Sequence, residues 1–224
     1  LRWREQKRLA MAREAVHHSD QANALGTAGE QLKPWLSTEL MHFLSAAVQL
    51  HVTALQQLKA PVNKASAKAL ESALLWQQDS GIKTPALPTR GNDAQALRQA
   101  LRFVLDYLRD AYKRKQLQPQ EARTFLLEAK RLNIRIALSV FDSKATAAAT
   151  LNNHHQAIHF LRKAEALLST QADLPEEFVQ VLAEIRTRIS THEQERQKSN
   201  RGTRLEEGAE ILSAEDDAWK KKKF

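Results

Sequence analysis

The sequence predicts an all-α protein in which antiparallel helical hairpins stack into a bundle or a short solenoid. Helix-forming residues dominate the 224-residue chain, and strand-like alternation of β-branched residues is absent. The six glycines and six prolines fall between long stretches with helical periodicity. With 42% hydrophobic and 27% charged residues, the composition is that of a folded protein with one sizeable core or two small ones.

The N-terminal region, residues 1–79, begins with a basic helix. Glycine is a poor helix former and a common residue just past helix ends, so Gly26 and Gly29 predict the end of this helix. The second helix follows at "KPWLSTEL", where Ser37 or Thr38 is the expected N-cap, because a hydroxyl oxygen there accepts a backbone N–H.

Proline and glycine punctuate the next part of the chain. Pro61 is expected to close the second helix, and a third helix is predicted over about Lys64–Gln78. The Pro/Gly-containing loop 80–93 is the predicted domain boundary. After it, Asn92 with Gln95 three residues later resembles a capping box that opens the next helix.

The region 94–198 is predicted to contain the C-terminal helical hairpins. Its first helix runs to about Lys115, and a long helix starts near Gln120. Short polar side chains compete with the backbone for hydrogen bonds, so a break or bend is expected near Asp142 and Ser143.

Two further helices are predicted over about 144–151 and 154–169. Asp173 and Pro175 mark the start of a last helix, because proline is favoured in the first turn. The highly charged segment 199–224 is interpreted as a tail that is flexible unless docked.

The residue types narrow the classes of function. Without cysteine, disulfides, thiolate metal sites and cysteine nucleophiles are excluded. The chain also lacks a Gly-rich phosphate loop, a nucleophile elbow and a His-Glu-x-x-His motif. We therefore expect a protein that is not an enzyme, with no catalytic residue, cofactor or metal. The net charge of +8 favours acidic or phosphate-rich partners.

A stripe of basic residues is the strongest candidate for partner binding. At about 100° per residue, four cations of the helix that starts near Ala94 fall within roughly 60° of one another. Further cations follow on the next helix, and the partner-binding candidates are Arg98, Arg102, Arg109, Lys113, Arg123 and Lys130. The adjoining wide face is expected to be buried and consists of Leu97, Leu101, Val104, Leu105, Leu108 and Tyr112.

Three interpretations of the basic stripe stay open. It is a solvated face paired with Asp106, Asp110 and Glu128, a surface for an acidic protein or peptide, or a phosphate-tracking surface for nucleic acid. No named nucleic-acid-binding motif accompanies it. We therefore expect a non-enzymatic protein–protein interaction or scaffold module, with nucleic-acid binding as the alternative. The sequence does not indicate the oligomeric state.

The segment "LNNHHQAIHFLRKAEALLST" carries three histidines on one predicted helix. Asn153 is its expected cap, with Gln156 three residues later. The i,i+4 pair His155 and His159 lacks a third ligand one turn away, which argues against a metal site. With Arg162, these two histidines are weak candidates for contact with an anion.

The remaining histidines have ordinary structural interpretations. His17 and His18 are predicted to lie on a polar helix surface near Asp20. His42 and His51 lie in an apolar helix and are predicted to be packing histidines whose ring nitrogens find partners.

An alanine spacing occurs twice, as Ala122, Leu126 and Ala129, and 35 residues later as Ala157, Leu161 and Ala164. Ala145 and Ala148 fit the helix that precedes the second set of this spacing. Over about residues 107–169 the pattern resembles tetratricopeptide-type repeats, which are helix-turn-helix units of about 34 residues. The resemblance implies stacked helical hairpins and a groove that binds a peptide or a partner protein.

The first residues, "LRWREQKR", combine an apolar start, Trp3 and four cations. Such a segment is typical of the cytoplasmic side of a membrane-spanning helix, because interfacial tryptophan and cations anchor there. One expectation is therefore a bacterial protein at the cytoplasmic face of a membrane, held by a segment upstream of Leu1. The alternative is an ordinary basic helix of a cytoplasmic protein.

Overall fold

The computed structural model describes the backbone of residues 2–78, 85–171 and 175–221, and side chains within these ranges up to Ser199. Within this part of the chain every regular element is an α-helix, which confirms the all-α class. The helices are α1 (Arg2–Leu32), α2 (Thr38–Gln57), α3 (Lys64–Trp76), α4 (Gly91–Lys113), α5 (Pro119–Thr150), α6 (His154–Ser169) and α7 (Glu176–Lys221). None of the described helices is long and apolar enough to cross a bilayer.

The chain forms two compact units, Leu1–Ile136 and Ala137–Phe224, and their boundary falls inside α5. Part of the predicted boundary loop, residues 79–84, lies outside the described residues, so the division at 80–93 stays a prediction. At the C-terminal end, α7 continues through residues 199–221 of the predicted charged tail.

In the first unit, α1 packs against α2, α3 and α4, and α2 packs against α3. Large apolar side chains that are almost fully buried form the centre of this unit; they include Leu25, Leu32, Leu36, Leu40, Leu44, Leu55, Trp76, Leu101 and Leu108. The basic helix α1 contributes only its second half to this core, since its buried residues begin at Ala22.

The prediction that Gly26 and Gly29 end the first helix is wrong, because α1 continues through both to Leu32. Both glycines are buried and lie where α3 crosses α1. A Cβ atom on Gly26 would lie 2.4 Å from Ala69 Cβ, and one on Gly29 would lie 2.1 Å from Trp76 Cη2. The glycines therefore allow close packing of two helices rather than a turn.

The start of α2 was predicted correctly, and its end was not. Ser37 is the N-cap and its side chain accepts the backbone N–H of Leu40. The helix ends at Gln57, where Lys59 takes a positive φ of 53° and the following N–H groups bond to the last carbonyls. This local C-terminal turn, and not Pro61, closes the helix.

Two expectations for α4 are wrong. The capping box of Asn92 and Gln95 does not form, because the helix begins at Gly91 with Arg90 at the N-cap and no side-chain cap bond. On the wide apolar face, Leu97, Leu101, Val104 and Leu108 are buried, and Leu105 is partly buried; Tyr112 at the edge is 47% exposed.

The predicted break near Asp142 and Ser143 is absent, and the separate helix 144–151 is the end of the continuous α5. The Asp142 carboxylate accepts a hydrogen bond from the Arg188 guanidinium on α7. This partner occupies the side chain that would otherwise compete for backbone N–H groups. The turn after Thr150 instead depends on Asn152, whose φ is 54°.

In the second unit, α6 pairs with α7. Asn153 caps α6 as predicted, since its side chain accepts the N–H of Gln156 at 3.1 Å. The last helix begins directly after Pro175, while Asp173 lies outside the described residues. The apolar centre of this hairpin is formed by Ala157, Leu161, Ala164, Leu168, Phe178, Ile185 and Ile189.

The alanines of the two repeat-like units are buried, as close helix packing requires; they are Ala122, Ala129, Ala145, Ala148, Ala157 and Ala164. Leu161 is buried and Leu126 is partly buried. Helices packed through small residues are compatible with a helical repeat. They are equally the geometry of any close-packed hairpin.

Candidate functional site

The predicted basic residues form an exposed surface on α4 and the first part of α5. We call it the α4–α5 basic surface, and it consists of Arg98, Arg102, Arg109, Lys113, Arg123 and Lys130, all exposed. Arg98 Nε donates to Asn133 Oδ1 at 3.0 Å, which places the start of α4 beside α5. Lys130 precedes Asn133 by about one helical turn, so cations of both helices contribute to this part of the surface.

Two of the six cations are paired within α4. Arg109 bonds to Asp106 at 2.8 Å and Lys113 to Asp110 at 3.2 Å, and all four side chains are more than half exposed. Exposed pairs of this kind contribute roughly 0–1 kcal/mol and exchange readily with solvent or another anion. They leave Arg109 and Lys113 accessible to a partner.

The third expected counter-ion, Glu128, has a different role. Its carboxylate accepts the backbone N–H of Ser37 at 2.5 Å and the Ser37 hydroxyl at 2.7 Å. Within the part of the chain that the structure describes, Arg102, Arg123 and Lys130 form no ion pair or side-chain hydrogen bond. The surface therefore has fewer counter-ions than the sequence predicts.

The weak anion-contact candidates His155, His159 and Arg162 lie on α6. Arg162 Nη2 bonds to Glu193 Oε1 on α7 at 2.7 Å, so its charge is already compensated. The His159 ring lies 5.5 Å from the Phe160 ring. The exposed His155 has no such neighbour among the described contacts, and anion contact at this helix stays a prediction.

A histidine–tyrosine cluster in the first unit was not predicted from the sequence as a site. His18 Nδ1 and His51 Nδ1 lie 2.8 Å apart, and His51 Nε2 lies 3.2 Å from the Tyr107 hydroxyl. These bonds join α1, α2 and α4. The His17 ring centroid lies 6.4 Å from that of His51, so three imidazoles and a phenol meet here.

Burial and charge perturb two groups of this cluster. Burial, and to a smaller extent the charges of His18, His17 and Arg114, lower the pKa of His51 from 6.5 to about 4. Burial raises the pKa of Tyr107, against a smaller lowering by Arg114. At neutral pH, His51 is therefore an uncharged imidazole and Tyr107 a protonated phenol. Perturbed groups of this kind concentrate at functional sites.

A cavity of about 120 Å³ lies beside the cluster, and side chains of α1, α2, α4 and the following turn line it. His17, His51, Tyr107 and Arg114 contribute to the wall. The cavity is too small for a drug-sized ligand, which needs about 300 Å³ or more. Its volume suits a small ion or molecule, and polar side chains line it together with Phe103 and Ala111.

The sequence interpretation of the histidines was partly right. His51 is 3% exposed and both ring nitrogens have partners, as predicted for a packing histidine. His42 is exposed on α2, so the same prediction for it is wrong. His18 is partly buried against α2, while His17 is exposed. No signal in the sequence joins His18 to His51, because the two are 33 positions apart.

The second unit has a histidine pair of its own. His154 Nδ1 and His192 Nδ1 lie 3.3 Å apart, and desolvation, His154 and Arg188 lower the pKa of His192. Among the described side chains, no group of three or more His, Asp or Glu residues is placed to hold a metal ion.

Comparison of the chain with protein-family models, with curated proteins and with solved structures gave no match. We therefore infer a function from the geometry and chemistry of the two sites in the first unit.

Proposed function

We propose that the chain is a helical interaction module whose α4–α5 basic surface binds an acidic surface of a partner protein. The observation that carries the proposal is the charge of this surface. It contains six exposed cations, and Glu128, one of its three expected counter-ions, is bonded to Ser37 instead. The repeat-like packing of small residues supports a module that presents a rigid helical surface.

The chemistry of the surface suits a protein partner. Arginine binds carboxylates through two parallel N–H groups, and three of the six cations are arginines on α4. A net charge of +8 also accelerates encounters with acidic partners. The aromatic Tyr112 at the edge of α4 is exposed, and aromatic residues are enriched at protein interfaces.

The test compares two double charge reversals. Arg102→Glu with Lys130→Glu changes the surface, and Lys64→Glu with Lys68→Glu changes two exposed cations of α3 by the same charge. Each chain is immobilised and exposed to extracts of the source cells, and captured proteins are quantified by mass spectrometry. The surface variant is expected to lose a defined set of acidic proteins that the α3 variant retains.

Two outcomes would contradict the proposal. Equal capture by both variants and the unmodified chain would mean that the surface is merely solvated. Binding of mixed-sequence duplex or single-stranded nucleic acid that falls steeply with salt, and that the surface variant alone loses, would favour the nucleic-acid alternative.

A further inference from the structure

We propose that the cavity between α1, α2 and α4 binds a small oxyanion, with Arg114 as the cationic contact and the His17 ring and the Tyr107 hydroxyl as further hydrogen-bond partners. The cavity is not lined by residues of the α4–α5 basic surface, although Arg109 and Lys113 of that surface pair with two carboxylates of the cavity wall. The oxyanion is a free ion such as phosphate, or the phosphate group of a small monoester.

The charges at the cavity favour an anion. Arg114 lines it and interacts electrostatically with both His51 and Tyr107. His17 lines it from α1, and His18 lies behind His51. These groups repel a proton on His51, so the local potential is positive. An anion in the cavity would relieve this repulsion.

Two carboxylates, Asp106 and Asp110, also line the cavity and argue against an anion. Each is paired within its own helix, Asp106 with Arg109 at 2.8 Å and Asp110 with Lys113 at 3.2 Å. Among the described contacts, Arg114 is the one charged group of the wall that has no pairing partner. This balance favours an anionic ligand over a cationic one.

Hydrogen-bond donors complete the site. Gln21 and Gln116 offer amide N–H groups from α1 and the turn after α4. Neutral His51 has one N–H and one lone pair, which allows two arrangements of the hydrogen bonds that link His18, His51 and Tyr107. If His18 donates to His51, then His51 Nε2–H donates to the Tyr107 oxygen. The phenolic O–H is then free to donate to an anion.

The hydrogen bonds between His18, His51 and Tyr107 also make anion binding sensitive to pH. An anion near Arg114 and His17 offsets their repulsion and therefore favours a proton on His51. By linkage, the affinity for the anion rises as the pH falls. Sulfate is a suitable probe, because its charge is constant over the range in which histidine titrates.

The experiment records the imidazole NMR signals of His17 and His51 in the full chain during titration with sodium sulfate, against sodium chloride at equal ionic strength. Saturable shifts with sulfate alone are expected, with an affinity that is higher at pH 5 than at pH 7. Arg114→Gln is expected to weaken binding by about tenfold or more, because a charge-assisted contact is lost.

The matched control is Arg90→Gln, an exposed arginine at the other end of α4 that lines neither the cavity nor the α4–α5 basic surface. It should bind sulfate as the unmodified chain does. Inorganic phosphate and glycerol 3-phosphate then distinguish the source: binding of phosphate alone indicates a free ion, and binding of both indicates a monoester. Absence of saturable shifts, or equal weakening by Arg90→Gln and Arg114→Gln, would overturn the proposal.

Discussion

Gly29 shows how one missing side chain determines the contact between two helices. The indole of Trp76 lies over this position, is 1% exposed, and donates its Nε1–H to Glu30 at 2.6 Å. A glycine inside a helix costs about 1 kcal/mol relative to alanine. The glycine is nevertheless compatible with a stable fold, because any Cβ would meet a rigid, buried ring.

Gly29→Ala is therefore expected to destabilise the protein, although alanine is the better helix former. A Cβ at 2.1 Å from Trp76 Cη2 forces α1 and α3 apart. We expect a net loss of about 1–3 kcal/mol in the free energy of unfolding, measured by urea denaturation. Gly91→Ala is the control, since nothing lies within 4 Å of its added Cβ. An equally stable Gly29→Ala variant would contradict the packing argument.

His51 is expected to make stability depend on pH. Its pKa is about 4 in the folded protein and 6.5 in an accessible state, so the unfolded chain binds more protons between these values. Its contribution to the free energy of unfolding is fully present above pH 6.5 and is lost as the pH falls through 4. The total loss is at most roughly 3 kcal/mol. Urea denaturation between pH 4 and 7 measures this slope. His51→Gln should flatten it, and an unchanged slope in this variant would contradict the assignment.

At the scale of the elements, the N-terminus of α2 is bound to α5 through two residues 91 positions apart. Ser37 caps α2 with its side chain and donates both its N–H and its hydroxyl to the Glu128 carboxylate. Removal of an N-cap alone costs about 1 kcal/mol. Replacing Ser37 by a residue without a hydroxyl also leaves the partly buried Glu128 carboxylate with fewer donors.

A double-mutant cycle separates these two effects. Ser37→Ala is expected to cost about 2 kcal/mol, and Glu128→Gln somewhat less because an amide oxygen still accepts one bond. The double variant should be less destabilised than the sum by about 1 kcal/mol, measured by thermal or urea unfolding. Strict additivity would mean that the contact between α2 and α5 does not contribute.

The helix termini show which features of the fold the sequence predicts. Ser37 and Asn153 were assigned correctly because a cap depends on residues only three positions away. The assignments at Gly26, Gly29 and Asp142 failed for the opposite reason. Each depends on a contact with a distant helix, which supplies a partner or demands space and so overrides the local preference.

The same distinction applies to the candidate sites. The four cations of the basic surface that lie on α4 were predicted to share one side of that helix, since helical spacing alone determines this. The histidine–tyrosine cluster was not, because His18, His51 and Tyr107 come from three helices that only tertiary packing brings together. Which residues share one face of a helix can be predicted from the sequence, whereas which helices pack together cannot.

At the scale of the whole molecule, the local arrangement of charge is expected to matter more than its sum. Arg102→Glu with Lys130→Glu and Lys64→Glu with Lys68→Glu each reverse two cations. Each reversal changes the charge by two, so both variants fall from +8 to +4. If net charge alone governed attraction to an acidic surface, the two variants would behave alike.

We expect them to differ on immobilised polyglutamate eluted with a salt gradient. Cations clustered on α4 and α5 act together within a Debye length of about 8–10 Å, so losing two of them weakens retention more than losing two on α3. The surface variant should therefore elute at lower salt than the α3 variant, with both folded by circular dichroism. Coincident elution would mean that the α4–α5 basic surface has no more affinity for carboxylates than the rest of the molecule.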